Sequence, residues 1–325
     1  MDKSVIKQPI AFNVIKVFKK FQKYFSFAAL VLVVLIFSIL SDKFRTITNF
    51  INILNQSSTL IAAAVGQTLV ILAGSIDLSV GSLLGLTAVL TALASHYFGD
   101  LAIIVGPIAG LAAGTLTGLI FSKGKIPSFI TALAMQIILR GIVLMITKGQ
   151  PIHLKSSLID SIAISKMAGI PVIFIFAICV FLIGLLITEY RPIGRYIKAV
   201  GGEEKVAKLS GINIDKVKII VFSICGFMTG IAGVLQVSRT MAGVPMTGQN
   251  FELDTISACV LGGTLLSGGI GTVGGTIVGA FTLTALSSGL NIIGVSPYGQ
   301  YVAKGLVLIV AILITIDRSK IKVIK

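Results

Sequence analysis

The sequence predicts an all-α membrane protein, a polytopic bundle of about ten transmembrane helices with a weak internal repeat, and three observations predict it. Apolar runs of about 20 residues, the length that crosses a ~30 Å hydrocarbon core, recur along the chain. Only 12% of the 325 residues are charged and 55% are hydrophobic, with a mean hydropathy of +1.02. A water-soluble domain carries roughly 25% charged residues, so this chain has too few to solvate the outside of a globule. The net charge of +15 is gathered beside the apolar runs, as the positive-inside rule requires of cytoplasmic loops.

The predicted spans are 25–42, 49–73, 77–97, 101–121, 127–147, 170–189, 217–238, 254–270, 272–294 and 298–316. The chain then divides into a basic cytoplasmic arm at 1–24, one transmembrane domain at 25–316 and a basic cytoplasmic tail at 317–325. The first apolar run, Phe25 to Leu40, follows a basic segment like a signal peptide. The Ser41-Asp42-Lys43-Phe44 that follows is not a small-residue cleavage site, so it reads as an uncleaved helix. With the N-terminus inside, segments 1–24, 122–126, 190–216 and 317–325 hold most of the 27 Lys and Arg. Both termini are therefore expected in the cytoplasm of a multi-pass cell-membrane protein. The same clustering argues against nucleic acid as a partner, and the basic arm is expected to touch anionic lipid.

The repeat pairs Ala73-Gly74-Ser75-Ile76 with Gly262-Gly263-Thr264-Leu265, and Val80-Gly81-Ser82-Leu83-Leu84-Gly85 with Gly274-Gly275-Thr276-Ile277-Val278-Gly279. Transporters built from repeats place broken helices near the pathway, and the glycine-rich stretches near 73–85 and 262–279 can be such breaks. Glycines at helical spacing (Gly106, Gly110, Gly114, Gly118, and Gly271, Gly275, Gly279) form ridges that let backbones approach closely in lipid, within the bundle or at a dimer face.

Chemistry-bearing residues are few. Cys179, Cys225 and Cys259 all lie in apolar runs, and their spacing fits neither a metal site nor a disulfide framework. With only His96 and His153 beside them, no metal site is expected. Gly124-Lys125 is followed by Ile126 without the upstream glycine spacing of a phosphate-binding loop, and no catalytic constellation is visible. The chain is thus expected to be no enzyme and to bind no cofactor. Asp77 lies between two apolar spans, where a carboxylate costs on the order of 3 kcal/mol. It reads as a helix cap, a pathway residue or both, with Ser79 beside it. Gln67, Asn291 and Gln300 are candidates for a pathway wall, or for interhelical hydrogen bonds. Arg140 lies deep in the fifth span and calls for a partner, whereas Lys304 is close enough to a helix end to snorkel outward. Asp160, Glu252 and Asp254 are acidic positions on the predicted external side, the last at the start of the span 254–270.

The loop at 190–216 is the best-defined element. Glu203 and Glu204 open a short helix, Lys208 lies near its end, and Gly211 can terminate it. Val206, Leu209 and Ser210 share one face, which needs a cover of lipid or protein.

The segments Ile71-Leu72-Ala73-Gly74-Ser75-Ile76-Asp77-Leu78-Ser79-Val80-Gly81, Gly194-Arg195-Tyr196-Ile197, Gly201-Gly202-Glu203-Glu204-Lys205, Leu209-Ser210-Gly211-Ile212, Leu261-Gly262-Gly263-Thr264 and Asn291-Ile292-Ile293-Gly294-Val295 resemble the ribose-type, monosaccharide permeases of ATP-binding-cassette importers. The likeness runs from about residue 28 to 316. It implies a homodimer of two permease copies that translocates a monosaccharide, ribose foremost. A cytoplasmic ATPase with two fused nucleotide-binding domains would use the ATP and Mg. An extracytoplasmic sugar-binding protein would deliver the substrate, docking in part on Asp160, Glu252 and Asp254. It also implies that Gly201, Gly202, Glu203, Glu204, Lys205, Val206, Lys208, Leu209, Ser210 and Gly211 form a coupling helix seated on the ATPase. Another sugar, autoinducer-2, or an ion-coupled secondary transporter remain the alternatives.

Overall fold

The computed structural model describes residues 26–315; the basic arm at 1–24 and the tail at 317–325 lie outside the described residues. Helix α1 (Ser26–Leu40) leads through a 3₁₀ turn into α2 (Ile47–Leu72). Then follow α3 (Val80–Phe98), α4 (Val105–Gly124) and α5 (Ser128–Thr147). A short α6 (Ser157–Ile164) precedes α7 (Val172–Leu185), which runs on as a π turn through Tyr190. Two further short helices, α8 (Pro192–Gly202) and α9 (Glu204–Leu209), precede α10 (Ile214–Thr240). The chain closes with α11 (Phe251–Leu261), α12 (Val273–Ile292) and α13 (Pro297–Thr315). The strands are two-residue pieces: β1 (Ile152–His153) pairs antiparallel with β4 (Ala242–Gly243), and β2 (Lys166–Met167) with β3 (Ile170–Pro171).

Local chemistry fixes where these helices begin. Thr46, Ser156, Asn213 and Thr272 each precede a helix, and their side chains accept from the backbone N–H of Asn49, Ile159, Lys216 and Gly275. Pro192 opens α8, where its missing N–H costs nothing. At the end of α2, Gly74 takes φ +74°, and Ser75 N–H reaches back to the Val70 carbonyl at 3.1 Å. Gly263 ends α11 in the same way at φ +85°, with Thr264 N–H on the Cys259 carbonyl at 3.0 Å.

Packing is organised around α2. Every residue from Ser57 to Leu72 is buried, so this helix is enclosed on all sides by α7, α10, α11 and α12. The outer surface is the reverse of a soluble protein's. Large apolar side chains such as Leu111, Leu116, Phe129, Ile137, Leu182 and Leu306 are exposed along α4, α5, α7 and α13, a surface that only lipid or another apolar face satisfies. Five helical segments among the described residues are long and apolar enough to cross a membrane: Val80–Gly124, which holds both α3 and α4, Ser128–Thr147, Val172–Tyr190, Ile214–Thr240 and Val273–Ile292. The chain is an all-α membrane protein.

Two expectations are corrected. The span expected at 254–270 is helical only over Phe251–Leu261; residues 262–272 are irregular, with Gly263, Gly268, Gly269 and Gly271 at positive φ. Likewise the span expected from 77 begins only at Val80. In both places apolar small residues keep the hydropathy high while the glycines end the helix. The glycine ridges are also used up inside the subunit, which leaves no dimer face on them. A methyl on Gly110 would overlap the Gly226 carbonyl oxygen, one on Gly114 the Phe222 carbonyl, and one on Gly230 the Gly106 carbonyl. The α4 ridge is thus the seat of α10, and Gly275 and Gly279 seat α11 against Gly262 and Ala258 in the same way. Hydroxyls stitch the same layer: Thr68 Oγ1 lies 2.6 Å from Thr276 Oγ1, and the Cys259 thiol donates to the Ala64 carbonyl at 3.4 Å.

Candidate functional site

The loop expected to carry one short helix carries two. In α8, Gly194, Ile197 and Val200 are buried and hold the helix to the bundle. Glu203 is extended (φ −159°) and breaks the run, and α9 then ends where Gly211 (φ +82°) lets Ile212 N–H reach the Ala207 carbonyl at 3.1 Å. Ala207 faces inward, whereas Val206 is 59% and Leu209 89% exposed. Salt bridges strap the pair in place: Lys198 to Glu189 on the π turn at 2.8 Å, and Lys218 of α10 to Glu204 at 3.0 Å. The result is a fixed platform with apolar Val206 and Leu209 pointing off it, a face that a cover of lipid or protein would satisfy.

Beneath this platform three stretches of glycine backbone meet. The Leu72 carbonyl at the end of α2 accepts from Gly269 N–H at 3.0 Å. A methyl on Gly201 would overlap that same carbonyl and lie 2.9 Å from Gly74 N and 2.8 Å from Gly269 N. A methyl on Gly268 would lie 2.7 Å from the Gly74 Cα and 2.8 Å from the Gly201 carbonyl. The end of α8 therefore touches both helix breaks, at 73–79 and at 262–272, with no side chain between. Gly201 stands among the sequence-predicted site residues, and Gly74 lies in the glycine-rich stretch near 73–85. Gly268 and Gly269 are not named there singly, but both lie in the glycine-rich stretch near 262–279 that the sequence marks as a possible break.

Asp77 and Ser79 come together. Asp77, 1% exposed, accepts on Oδ1 from Ser79 N–H at 2.8 Å and Ser79 Oγ at 2.6 Å. This is an Asx turn just ahead of α3, whose N-cap is Ser79 itself; Asp77 thus stabilises the helix entry without being the cap residue. Gln67 sits fully buried in α2, and neither its amide oxygen nor its amide nitrogen has a partner among the described residues. Asn291 is exposed in the last turn of α12. Gln300, in α13, donates to the Val295 carbonyl at 3.2 Å. Among the described residues no hydrogen bond links Gln67, Asn291 and Gln300 to one another or to Asp77.

The intramembrane charges find partners that lie far away in sequence. Arg140 donates to the carbonyls of Pro245 at 2.7 Å and Thr247 at 3.0 Å, pinning the 244–250 turn against α3 and α5. Glu252, expected in an external loop, is 6% exposed and accepts from Gln136 Nε2 at 2.8 Å. Asp254 is not free for docking either. It pairs with Lys304 at 2.9 Å, both partly buried, so Lys304 is held by an ion pair and does not snorkel. Only Asp160 of the three acids stays outside such a pairing with the bundle, partly exposed on α6. Replacing Arg140 by Met should release the turn locally: amide exchange at Thr247 and Gly248 is expected to rise by about tenfold, while the protein stays folded. Unchanged protection at these amides would show that the two carbonyl contacts do not hold the turn.

A cavity of about 210 Å³ opens between α2, α10, α11, α12 and α13, with Gln56, Arg239, Asp254, Gln300 and Lys304 on its wall. Gln300 and Lys304 were singled out by sequence. Arg239 was not, because one charge at the end of an apolar span is an ordinary topology marker.

A lipid-facing bundle, an apolar platform on one loop and polar groups held at helix breaks define a membrane transport permease. The chain belongs to the family described as the branched-chain amino acid transport system / permease component, which it matches over residues 49–312. It is 43% identical over 284 residues to the ribose import permease protein of Escherichia coli K12, covering 85% of this chain and 88% of the relative. The Bacillus subtilis protein of the same name is 40% identical over 287 residues, covering 87% and 88%. The xylose transport system permease protein of Haemophilus influenzae is 32% identical over 349 aligned positions, covering 87% and 93%. No solved structure matches the chain.

Proposed function

We propose that the chain is the membrane-spanning subunit of an ATP-binding-cassette importer that moves a monosaccharide, D-ribose foremost, through a homodimeric pathway. The observation that carries this is the 40–43% identity to ribose import permeases along nearly the whole of both chains. The 32% match to a xylose permease favours another pentose as the second reading. In this reading ten helices cross the membrane, with α11 and the irregular 262–272 together forming one broken crossing. Similar backbone endings at Gly74 and Gly263, on matched segments, support the internal repeat. Both termini are cytoplasmic, so α8 and α9 face the cytoplasm. Gly201, Gly202, Glu203, Glu204, Lys205, Val206, Lys208, Leu209, Ser210 and Gly211 then present the coupling surface to a separate ATPase, which uses ATP and Mg. Exposed Val206 and Leu209 on a strapped platform are what such a docking surface requires. An extracytoplasmic sugar-binding protein delivers the substrate at the opposite end. Asp77, Ser79, Gln67, Asn291 and Gln300 stand as pathway or gate positions.

Changing Leu209 to Asp buries a carboxylate in the proposed interface, at a cost of several kcal/mol. Uptake of radiolabelled ribose by cells expressing the ATPase and the binding protein should fall by more than about tenfold, with membrane insertion unchanged and the ATPase lost on purification in mild detergent. Normal uptake by a correctly inserted Leu209→Asp protein would sink the coupling assignment.

A further inference from the structure

We propose that the cavity between α2, α10, α11, α12 and α13 is a monosaccharide-binding site within the permease itself, so that sugar passes through a selective station after leaving its delivery protein. This rests on the transport reading above and adds a site to it.

A neutral sugar presents hydroxyls that each donate and accept, on a carbon skeleton with weakly polar faces. A site for one needs fixed donors, fixed acceptors and an apolar plate in a concave wall. All three are present. Among the described residues Arg239 is left without an ion-pair or hydrogen-bond partner, although it is partly buried at the end of α10. A guanidinium in such a place has its donors free for a ligand or water. The Lys304–Asp254 pair supplies further donors and acceptors on the facing wall, with its charges mutually compensated. Gln300 spends its amide N–H on the Val295 carbonyl, which fixes the side chain. Ser287 adds a second neutral polar residue to the lining, and Phe251, Leu60 and Leu283 supply its apolar part. The volume of about 210 Å³ is many times the ~10–15 Å³ that one water needs, and gives room for one pentose.

The position is also suitable. Arg239 lies at the end of α10 opposite α9, and Gln300 lies in the first turn of α13. The cavity therefore opens on the side of the bundle away from the platform of exposed Val206 and Leu209. Its walls come from α11 and α12, the two helices that flank the 262–272 break touched by α8. The same two helices thus run from the cavity at one end to that break at the other.

The test is saturation-transfer NMR with D-ribose on the permease–ATPase complex in nanodiscs, without the binding protein. Transfer to the ribose protons is expected in the wild type, lowered about tenfold in Arg239→Gln and in Phe251→Ala. The gentler Ser287→Ala should lower it less, and inorganic phosphate should not compete. The same proteins, reconstituted in sealed liposomes, are then supplied with binding protein and ATP. No ATP-driven ribose uptake by the wild type would refute the transport reading itself. Uptake without saturation transfer would overturn only the site, as would transfer that survives all three substitutions or is displaced by phosphate, which would mark an anion site.

Discussion

Gly201→Ala is expected to abolish transport, while Gly202→Ala next to it is silent. A methyl on Gly201 would overlap the Leu72 carbonyl and lie within 2.9 Å of the Gly74 and Gly269 amide nitrogens, all of them backbone atoms that cannot rotate aside. A methyl on Gly202 meets nothing within 4 Å. Overpacking of this kind costs about 1–3 kcal/mol when the surroundings can shift. Here the least costly shift is for α8 to move off the end of α2, because the two helices belong to separate segments. The expected phenotype is therefore uncoupling rather than unfolding. Membrane level and basal ATPase activity of the assembled complex should stay near wild type. The stimulation of ATPase by sugar-loaded binding protein, and uptake, should each drop by more than about tenfold. Paired measurements on Gly201→Ala and Gly202→Ala decide it. Wild-type stimulation in Gly201→Ala would show that the contact with the two helix breaks transmits nothing.

The second large effect is on stability. Gly226→Val should fail to accumulate, or should melt far below wild type. Its side chain would collide with the Gly110 carbonyl and lie within 3.0 Å of the Gly114 Cα and nitrogen, in the middle of the α4–α10 seam. The seam has no slack, because Gly106, Gly110 and Gly114 meet Gly230 and Gly226 backbone to backbone. Separating the helices to admit an isopropyl group would remove close contacts along their whole length, and in lipid those contacts are what holds helices together. A loss beyond about 3 kcal/mol follows, at the upper end of overpacking costs. Gly141→Ala is the control. It lies in α5 with nothing within 4 Å of the added methyl, and alanine there should raise helix stability by about 0.5–1 kcal/mol. Thermal unfolding in detergent reads both variants. A Gly226→Val protein melting within about 3 °C of wild type, a change worth roughly 1 kcal/mol, would mean that the seam yields.

How much of this could be read from the sequence depended on the range of the interaction. Helices announced by apolar runs of the right length were found, and so was the stop at Gly211, because each of these depends on neighbours in the chain. The glycines of 262–279 point to a break, but hydropathy alone carries the span on to residue 270. Leu265, Leu266 and Ile270 keep it apolar, and hydropathy cannot distinguish a continuing helix from an irregular loop covered by protein. The glycine ridge on α4 was legible, but its partner was not: Gly226 and Gly230 are more than a hundred residues away. Charges failed for the same reason. Lys304 looks like a snorkelling lysine until Asp254, fifty residues earlier, is placed beside it. The side chains of Glu252 and Asp254 look external because their loop is hydrophilic. The 244–250 turn carries them inward, where Arg140 holds its carbonyls.

Helix α10 has one property that reaches beyond its packing. It is unbroken from Ile214 to Thr240, 27 residues, and so forms a rod about 40 Å long. Lys218 near one end is clasped by Glu204 of α9, and Arg239 at the other end stands in the cavity wall. The glycine seam with α4 grips the rod between these points. A rod held at its middle is a lever. A tilt of about 10° about its midpoint carries each end by roughly 3.5 Å in opposite directions, given a length of about 40 Å. A displacement of the platform end would thus appear at the far end at equal size and in the opposite direction, with no chain of side-chain rearrangements between.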